Sequence, residues 1–189
     1  MKFIGTKTLE TERLILRRLT MEDAPRAFEN WCNDPDVVRY LPWECHGCVE
    51  NTIELYKVWT KEYDDLNTYR WIVEEKESGD VIGTIDVVNK DGMKYDVCEI
   101  GYCYAKKAWG KGYGTEAMKR VMEFLFKECD AYLIHAKHMS KNPGSGRVMA
   151  KSGLICEGSL RDRMLDKDGI RNDVVSYSIT RDEYLNKNA

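Results

Sequence analysis

The sequence predicts a single α+β domain over residues 1–189, with a mostly antiparallel central sheet of about seven strands flanked by helices. Three observations predict it. The 189 residues carry no repeat, low-complexity stretch or Pro/Ser-rich linker, and 43% hydrophobic with 32% charged residues is the balance of one soluble core. The middle of the chain reads as successive antiparallel strands joined by Gly/Asp/Asn turns. The hydrophobic period then changes from strand to helix across a glycine-rich junction at residues 109–115.

Taken in order, residues 13–19 (RLILRRL) alternate apolar and basic side chains as a half-buried strand does. Thr20 with Asp23 three positions on reads as a helix start, and the helix is expected over 21–32. A short segment at 34–41 and a longer helix at 49–63 follow. Residues 69–76 and 81–88 are strands around the turn Glu77-Ser78-Gly79-Asp80. After a second turn at Asn89-Lys90-Asp91-Gly92, residues 97–104 (VCEIGYCY) give a third strand of this group. From Gly112 onward, Tyr113, Ala117, Met118, Val121, Met122, Leu125, Phe126 and Cys129 form a helical stripe. Residues 132–137 are then a strand. Asn142-Pro143 reads as cap and first position of a helix that Gly153 ends. Residues 154–165 and 170–180 close the chain as a hairpin around Asp168-Gly169.

Composition excludes several function classes. With 29 Lys+Arg against 32 Asp+Glu the chain has no basic field for direct nucleic-acid binding, so any anion site must be local. No apolar run approaches a membrane span, and the first seven residues lack the apolar segment of a signal peptide, so the expected compartment is the cytoplasm. Seven cysteines, an odd number, fit a reduced protein. Cys45-His46-Gly47-Cys48 has C-x-x-C spacing, but no second pair follows at zinc-ribbon distance, and no metal is expected.

Trp109-Gly110-Lys111-Gly112-Tyr113-Gly114-Thr115 lies where a strand hands over to an amphipathic helix. Backbone N–H groups and the helix dipole can jointly hold a phosphate there, and Lys106, Lys107 and Lys111 add positive charge. Gly112 to Ala117 formally matches the dinucleotide fingerprint G-x-G-x-x-A, but about 20 residues on the chain reads His135-Ala136-Lys137-His138, with no acid for a ribose. That disfavours a nicotinamide-dependent oxidoreductase, and the Walker A spacing is absent.

The stretch Gly110-Lys111-Gly112-Tyr113-Gly114-Thr115-Glu116-Ala117, after Glu99-Ile100-Gly101-Tyr102, resembles motif A of the GNAT superfamily of N-acetyltransferases. Trp109 stands where that pattern has Gln or Arg, and W-G-K-G-Y-[AG]-T-E-A is similar to the branch acetylating N-terminal alanines of ribosomal proteins. Thr11 to Arg17 (TERLILR), Asn142-x-x-Ser145 and Lys151-x-Gly153-Leu154 are similar to the same branch, in family order over almost the whole chain.

The resemblance implies a parallel strand pair at an acetyl-CoA cleft, acetyl-CoA as donor and a primary amine as acceptor, either a protein N-terminus such as a ribosomal-protein alanine or a small molecule. It implies that the loop of Trp109, Gly110, Lys111, Gly112, Tyr113, Gly114 and Thr115 holds the pyrophosphate. The pantetheine arm would lie along the backbone of Tyr102, Cys103 and Tyr104 like an added strand. Glu99 matches the catalytic glutamate of histone-acetylating members. It acts as base directly or through water, or else it is an ordinary strand glutamate. Ser145 takes the position of a group protonating the departing thiolate, and Asn142 contributes beside it or simply caps its helix. In some members of the branch a glutamate on the following strand is the base; Arg161-Asp162-Arg163-Met164-Leu165 has none there, so the base stays open. Cys103 is expected to be packing rather than a nucleophile. A catalytically inactive CoA-sensing module is the alternative function, and the chain is expected as a monomer or homodimer.

Overall fold

An eight-stranded mixed sheet runs through the computed structural model, which describes residues 1–187. Its strands are β1 (Leu9–Glu10), β2 (Leu14–Arg17), β3 (Arg70–Glu75), β4 (Asp80–Val87), β5 (Val97–Tyr104), β6 (Leu133–Met139), β7 (Ile155–Leu165) and β8 (Arg171–Thr180). Their spatial order is β1-β2-β3-β4-β5-β6-β8-β7, and every neighbouring pair is antiparallel except β5 with β6. The expected strands are all present, and both predicted hairpins turn where expected. The eighth strand, β1, is two residues long and too short to show a period. It is antiparallel to β2.

The helix expected over 21–32 is a composite. A 3₁₀ turn (Met21–Asp23) leads into α1 (Ala24–Ala27), and a π-helical turn (Phe28–Cys32) follows. The Thr20 N–H donates to Asp23 Oδ2 at 2.8 Å, as a helix start with an acid three residues on should allow. Further along come α2 (Pro35–Val38), α3 (Val49–Lys61), α4 (Tyr113–Lys127), α5 (Pro143–Lys151) and α6 (Arg181–Lys187).

Alternation along the strands sends side chains into two cores. On one face Trp71, Ile85, Cys98 and Ile100 pack against the stripe of α4, where Met118, Val121, Met122 and Leu125 are fully buried. Each such side chain is worth about 1.5–3 kcal/mol on burial, which fixes α4 firmly to the sheet. On the other face Ile72, Val81 and Cys103 pack under Trp31, Tyr56 and Tyr63.

One irregularity organises the rest. β5 pairs with β6 only over residues 97–99, with Glu99 opposite His135 as the last rung. Beyond it residues 100–104 pair only with β4, and residues 136–139 only with β8. The two central strands therefore part, and each presents an unpaired edge to the gap between them.

Candidate functional site

At the top of that gap sits the glycine-rich loop. Gly110 and Gly112 have φ of +75° and +84°, a left-handed backbone that glycine adopts without steric cost. Gly112 is the N-cap of α4 and no side chain caps that helix, so its first N–H groups face outward from a 15-residue dipole. Gly114 sits in a tight space instead. A Cβ there would stand 3.2 Å from Cε2 of Tyr104 and 3.4 Å from Val148. The Trp109 indole N–H donates to the Tyr104 carbonyl at 2.8 Å, tying the loop to the end of β5, while half of the side chain stays exposed. The Thr115 carbonyl accepts from Ser152 Oγ at 3.5 Å, which links α4 to the end of α5.

A lock connects the loop to the N-terminal strands. Glu116 accepts from Thr11 Oγ1 at 2.5 Å, from the Arg13 backbone N–H at 3.0 Å and from Arg13 Nε at 2.7 Å. The Arg13 Nη1 also donates to the Lys111 carbonyl at 3.1 Å, and its guanidinium lies 4.6 Å from the centre of the Tyr113 ring. Burial pushes the Glu116 carboxyl up, but the bonds from Thr11 and Arg13 outweigh it and hold the group below its ordinary value. Arg13 also offsets the one carboxylate in the first turn of α4. The TER and TEA segments, 105 residues apart at Thr11 and Glu116, are thus two halves of one contact.

The loop's positive charge is smaller than the sequence suggests. Lys106 is paired with Asp36, and Lys107 with Asp80 and Asn30, so both are turned to carboxylates of other elements. Lys111 is the lysine left at the loop, its Nζ 5.9 Å from the Tyr113 ring centre.

Within the gap, the Tyr102 hydroxyl reaches across to α5, 2.9 Å from Ser145 Oγ and donating to the Ser145 carbonyl at 3.0 Å. Burial pushes the Tyr102 phenol up to about 12, so it carries its proton at neutral pH. Asn142 Oδ1 accepts from the Ser145 backbone N–H at 3.3 Å, the N-cap contact expected of it. Cys103 points into the opposite core, and burial raises its thiol well above the ordinary value, so it is inert packing.

Glu99 stands at the fork. Lys137 Nζ lies 2.9 Å from its Oε1, and His135 Nε2 lies 3.9 Å from its Oε2. Burial holds the His135 imidazole below its ordinary value against the opposing pull of Glu99. Sequence reading passed over His135 and Lys137 as a mere lack of acids. Period-2 alternation along β6 puts His135 and Lys137 on one face, and the parallel register sets His135 opposite Glu99 with Lys137 one same-face position further on.

A cleft of about 370 Å³ opens between α2, residues 44–45, the C-terminal end of β6 and the β7–β8 turn. Its charged lining is balanced: Glu44, Asp166 and Asp168 against Arg39, Lys141 and Lys167. Lys167 clamps the 43–44 loop through the Trp43 carbonyl at 2.8 Å and Glu44 at 3.2 Å. Asn172 in the wall is 4% exposed, and its Nδ2 donates to Asp166 and to the Ile170 carbonyl, leaving Oδ1 without a partner. Trp31, Tyr69 and Trp71 are buried core, and Trp43 borders the clamped loop. Cys45 lines the cleft, and Cys48 stands at the N-cap position of α3 without a side-chain capping bond. Among the described residues the seven cysteines are free, no cluster of three or more His, Cys, Asp or Glu is arranged to hold a metal, and no helix is long and apolar enough to cross a membrane.

Comparison with known proteins matches residues 13–155 to the family model described as "Acetyltransferase (GNAT) domain". The chain is 32% identical over 173 residues to an uncharacterized N-acetyltransferase, YoaA, of Bacillus subtilis, covering 92% of this chain and 96% of that one. It is 24% identical over 182 residues to the [Ribosomal protein uS5]-alanine N-acetyltransferase of Escherichia coli, covering 92% and 91%. A crystal structure of a GNAT-family acetyltransferase from Bacillus anthracis superposes with a TM-score of 0.81 at 25% identity, covering 94% of this chain and all of that one.

Proposed function

Since the chain belongs to the GNAT acetyltransferases, an acyltransferase family that uses acetyl-CoA, we propose that it moves the acetyl group of acetyl-CoA to the α-amine of a peptide N-terminus. One observation carries the donor half: the uncapped, glycine-opened N-terminus of α4 adjoins the unpaired edge of β5. These features fit an extended ligand with a pyrophosphate at one end and an amide-rich arm. Gly110, Lys111, Gly112, Tyr113, Gly114 and Thr115 would hold the pyrophosphate, with Trp109 fixing the loop. The backbone of Tyr102, Cys103 and Tyr104 would pair with the arm.

Bound acetyl-CoA supplies an activated thioester carbonyl. The chain's own groups do the rest. Backbone N–H groups on the free edge of β5 stabilise charge developing on the carbonyl oxygen, a contribution of about 3–4 kcal/mol in comparable sites. The Ser145 hydroxyl donates toward the departing sulfur, the Tyr102 hydroxyl holds Ser145 through its carbonyl, and Asn142 holds it by capping its helix. Glu99, paired with Lys137 at 2.9 Å, stands at the fork where the acceptor amine is received.

The acceptor assignment rests on charge and on amine chemistry. A peptide N-terminus, with pKa near 8, needs about 1 kcal/mol to deprotonate at pH 7, whereas a lysine amine near 10.4 needs about 4.6 kcal/mol. The cleft's three acids and three bases offer no acidic excess for a polycation. Relatedness to the uS5-alanine enzyme supports an alanine terminus. The test is a thiol-release assay with acetyl-CoA against Ala- and Ser-terminated peptides, polyamines and aminoglycosides, beside calorimetric titration with acetyl-CoA. Turnover on the peptides is expected. Preference for polyamines would overturn the acceptor, binding without turnover would make this a sensing module, and no binding below millimolar concentration would remove the donor.

A further inference from the structure

The acceptor's ammonium must lose a proton at the fork, and the group nearest to hand there is not a free carboxylate. Lys137 occupies one oxygen of Glu99 at 2.9 Å. The other oxygen faces the His135 imidazole at 3.9 Å, across the last rung that β5 and β6 share. Glu99 and His135 are partly withdrawn from solvent, with side chains 14% and 22% exposed, while Lys137 is 44% exposed. We propose that His135 takes the proton from the acceptor amine, that the Glu99 carboxylate 3.9 Å away stabilises the imidazolium so formed, and that Lys137 fixes Glu99. This rests on the acetyltransferase reading above and names the base that it leaves open.

The step balances. The N–H bond of the acceptor ammonium breaks, its electron pair stays on nitrogen as the nucleophilic lone pair, and the proton passes to the imidazole. One positive charge moves from acceptor to His135 and none is created, so the carboxylate at 3.9 Å stabilises the charge after transfer. Burial favours the neutral imidazole beforehand, so the base form prevails at pH 7. The charged groups around His135 come from three strands: Glu99 of β5, Lys137 of β6 and Glu157 of β7. The Glu157 carboxylate is held by Ser176 and Ser178 of β8, and Ser178 is the β8 neighbour of His135. Glu99 and Glu157 raise the imidazole's affinity for a proton and Lys137 lowers it.

The test uses the full-length protein. Histidine ring NMR should show His135 titrating below about 6.5. The midpoint should move down in Glu99→Gln and up in Lys137→Met. Shifts in the same direction, or none, would overturn the proposal, and this readout needs no acceptor. In steady-state thiol release with an Ala-terminated peptide, the acidic limb of kcat should disappear in His135→Gln and in His135→Asn. Their kcat should fall about 100-fold or more, with KM and acetyl-CoA affinity within about threefold. An acidic limb that survives both substitutions returns the base to Glu99. Failure of the unmodified protein to bind acetyl-CoA would overturn the acetyltransferase reading itself, which separates the two failures.

Discussion

Replacing Glu116 by Ala should loosen the start of α4 by an amount that its contacts predict. Three kinds of bond are lost. The Thr11 hydroxyl at 2.5 Å and the Arg13 backbone N–H at 3.0 Å both donate to a carboxylate that is 19% exposed, and such charge-assisted bonds are worth about 1–1.5 kcal/mol each. The Arg13 guanidinium, at 2.6 Å, is 43% exposed, so solvent screening reduces that ion pair to at most about 1 kcal/mol. The sum is about 3 kcal/mol, and for a chain of this length each kcal/mol lowers Tm by about 2–4 °C. A fall of roughly 6–12 °C is expected by calorimetry, with Glu116→Gln losing less. The carboxyl's proton affinity is lowered in the folded state, so its stabilisation is present above the unfolded value near pH 4.3 and is lost as pH falls through the folded value. The difference in Tm between the two proteins should therefore stay constant from pH 6 to 8 and shrink below about pH 4.3. A loss under about 0.5 kcal/mol, or one independent of pH down to 3, would refute the lock. So would a double-mutant cycle showing Arg13 and Glu116 uncoupled.

Other expectations follow from the same geometry. Gly112→Asp places a like charge at the phosphate end of the loop. It should weaken acetyl-CoA about 100-fold in a binding titration while costing only about 1 kcal/mol of stability at φ +84°. Tyr102→Phe removes the hydroxyl that meets Ser145; kcat should drop about 10- to 100-fold in the thiol-release assay, with acetyl-CoA affinity nearly unchanged. Gly146→Ala would put a methyl 2.5 Å from Nε2 of the buried His138, so about 1–3 kcal/mol and several degrees of Tm should be lost on thermal unfolding.

What the residues alone determined was local. Seven of the eight strands, the cap at Asn142 and the glycine loop opening α4 are written in periods of two and 3.6 and in turn chemistry, which act over a few residues at a time. The composite of 3₁₀, α and π turns over 21–32 and the two-residue β1 escaped that reading, since neither has a period of its own. The tertiary structure decided everything that depends on partners distant in sequence. Lys106 and Lys107 look like phosphate ligands from their neighbours, but the fold sets them beside Asp36 and Asp80. The lock joins Thr11 to Glu116, and the hydroxyl pair joins Tyr102 to Ser145. Above all, the parallel register of only three rungs brings Glu99 to His135 and then releases the strands to open the gap. The physical reason is the same each time. A side chain's neighbours along the chain set its backbone, but its charge and proton affinity are set by whatever the topology folds against it.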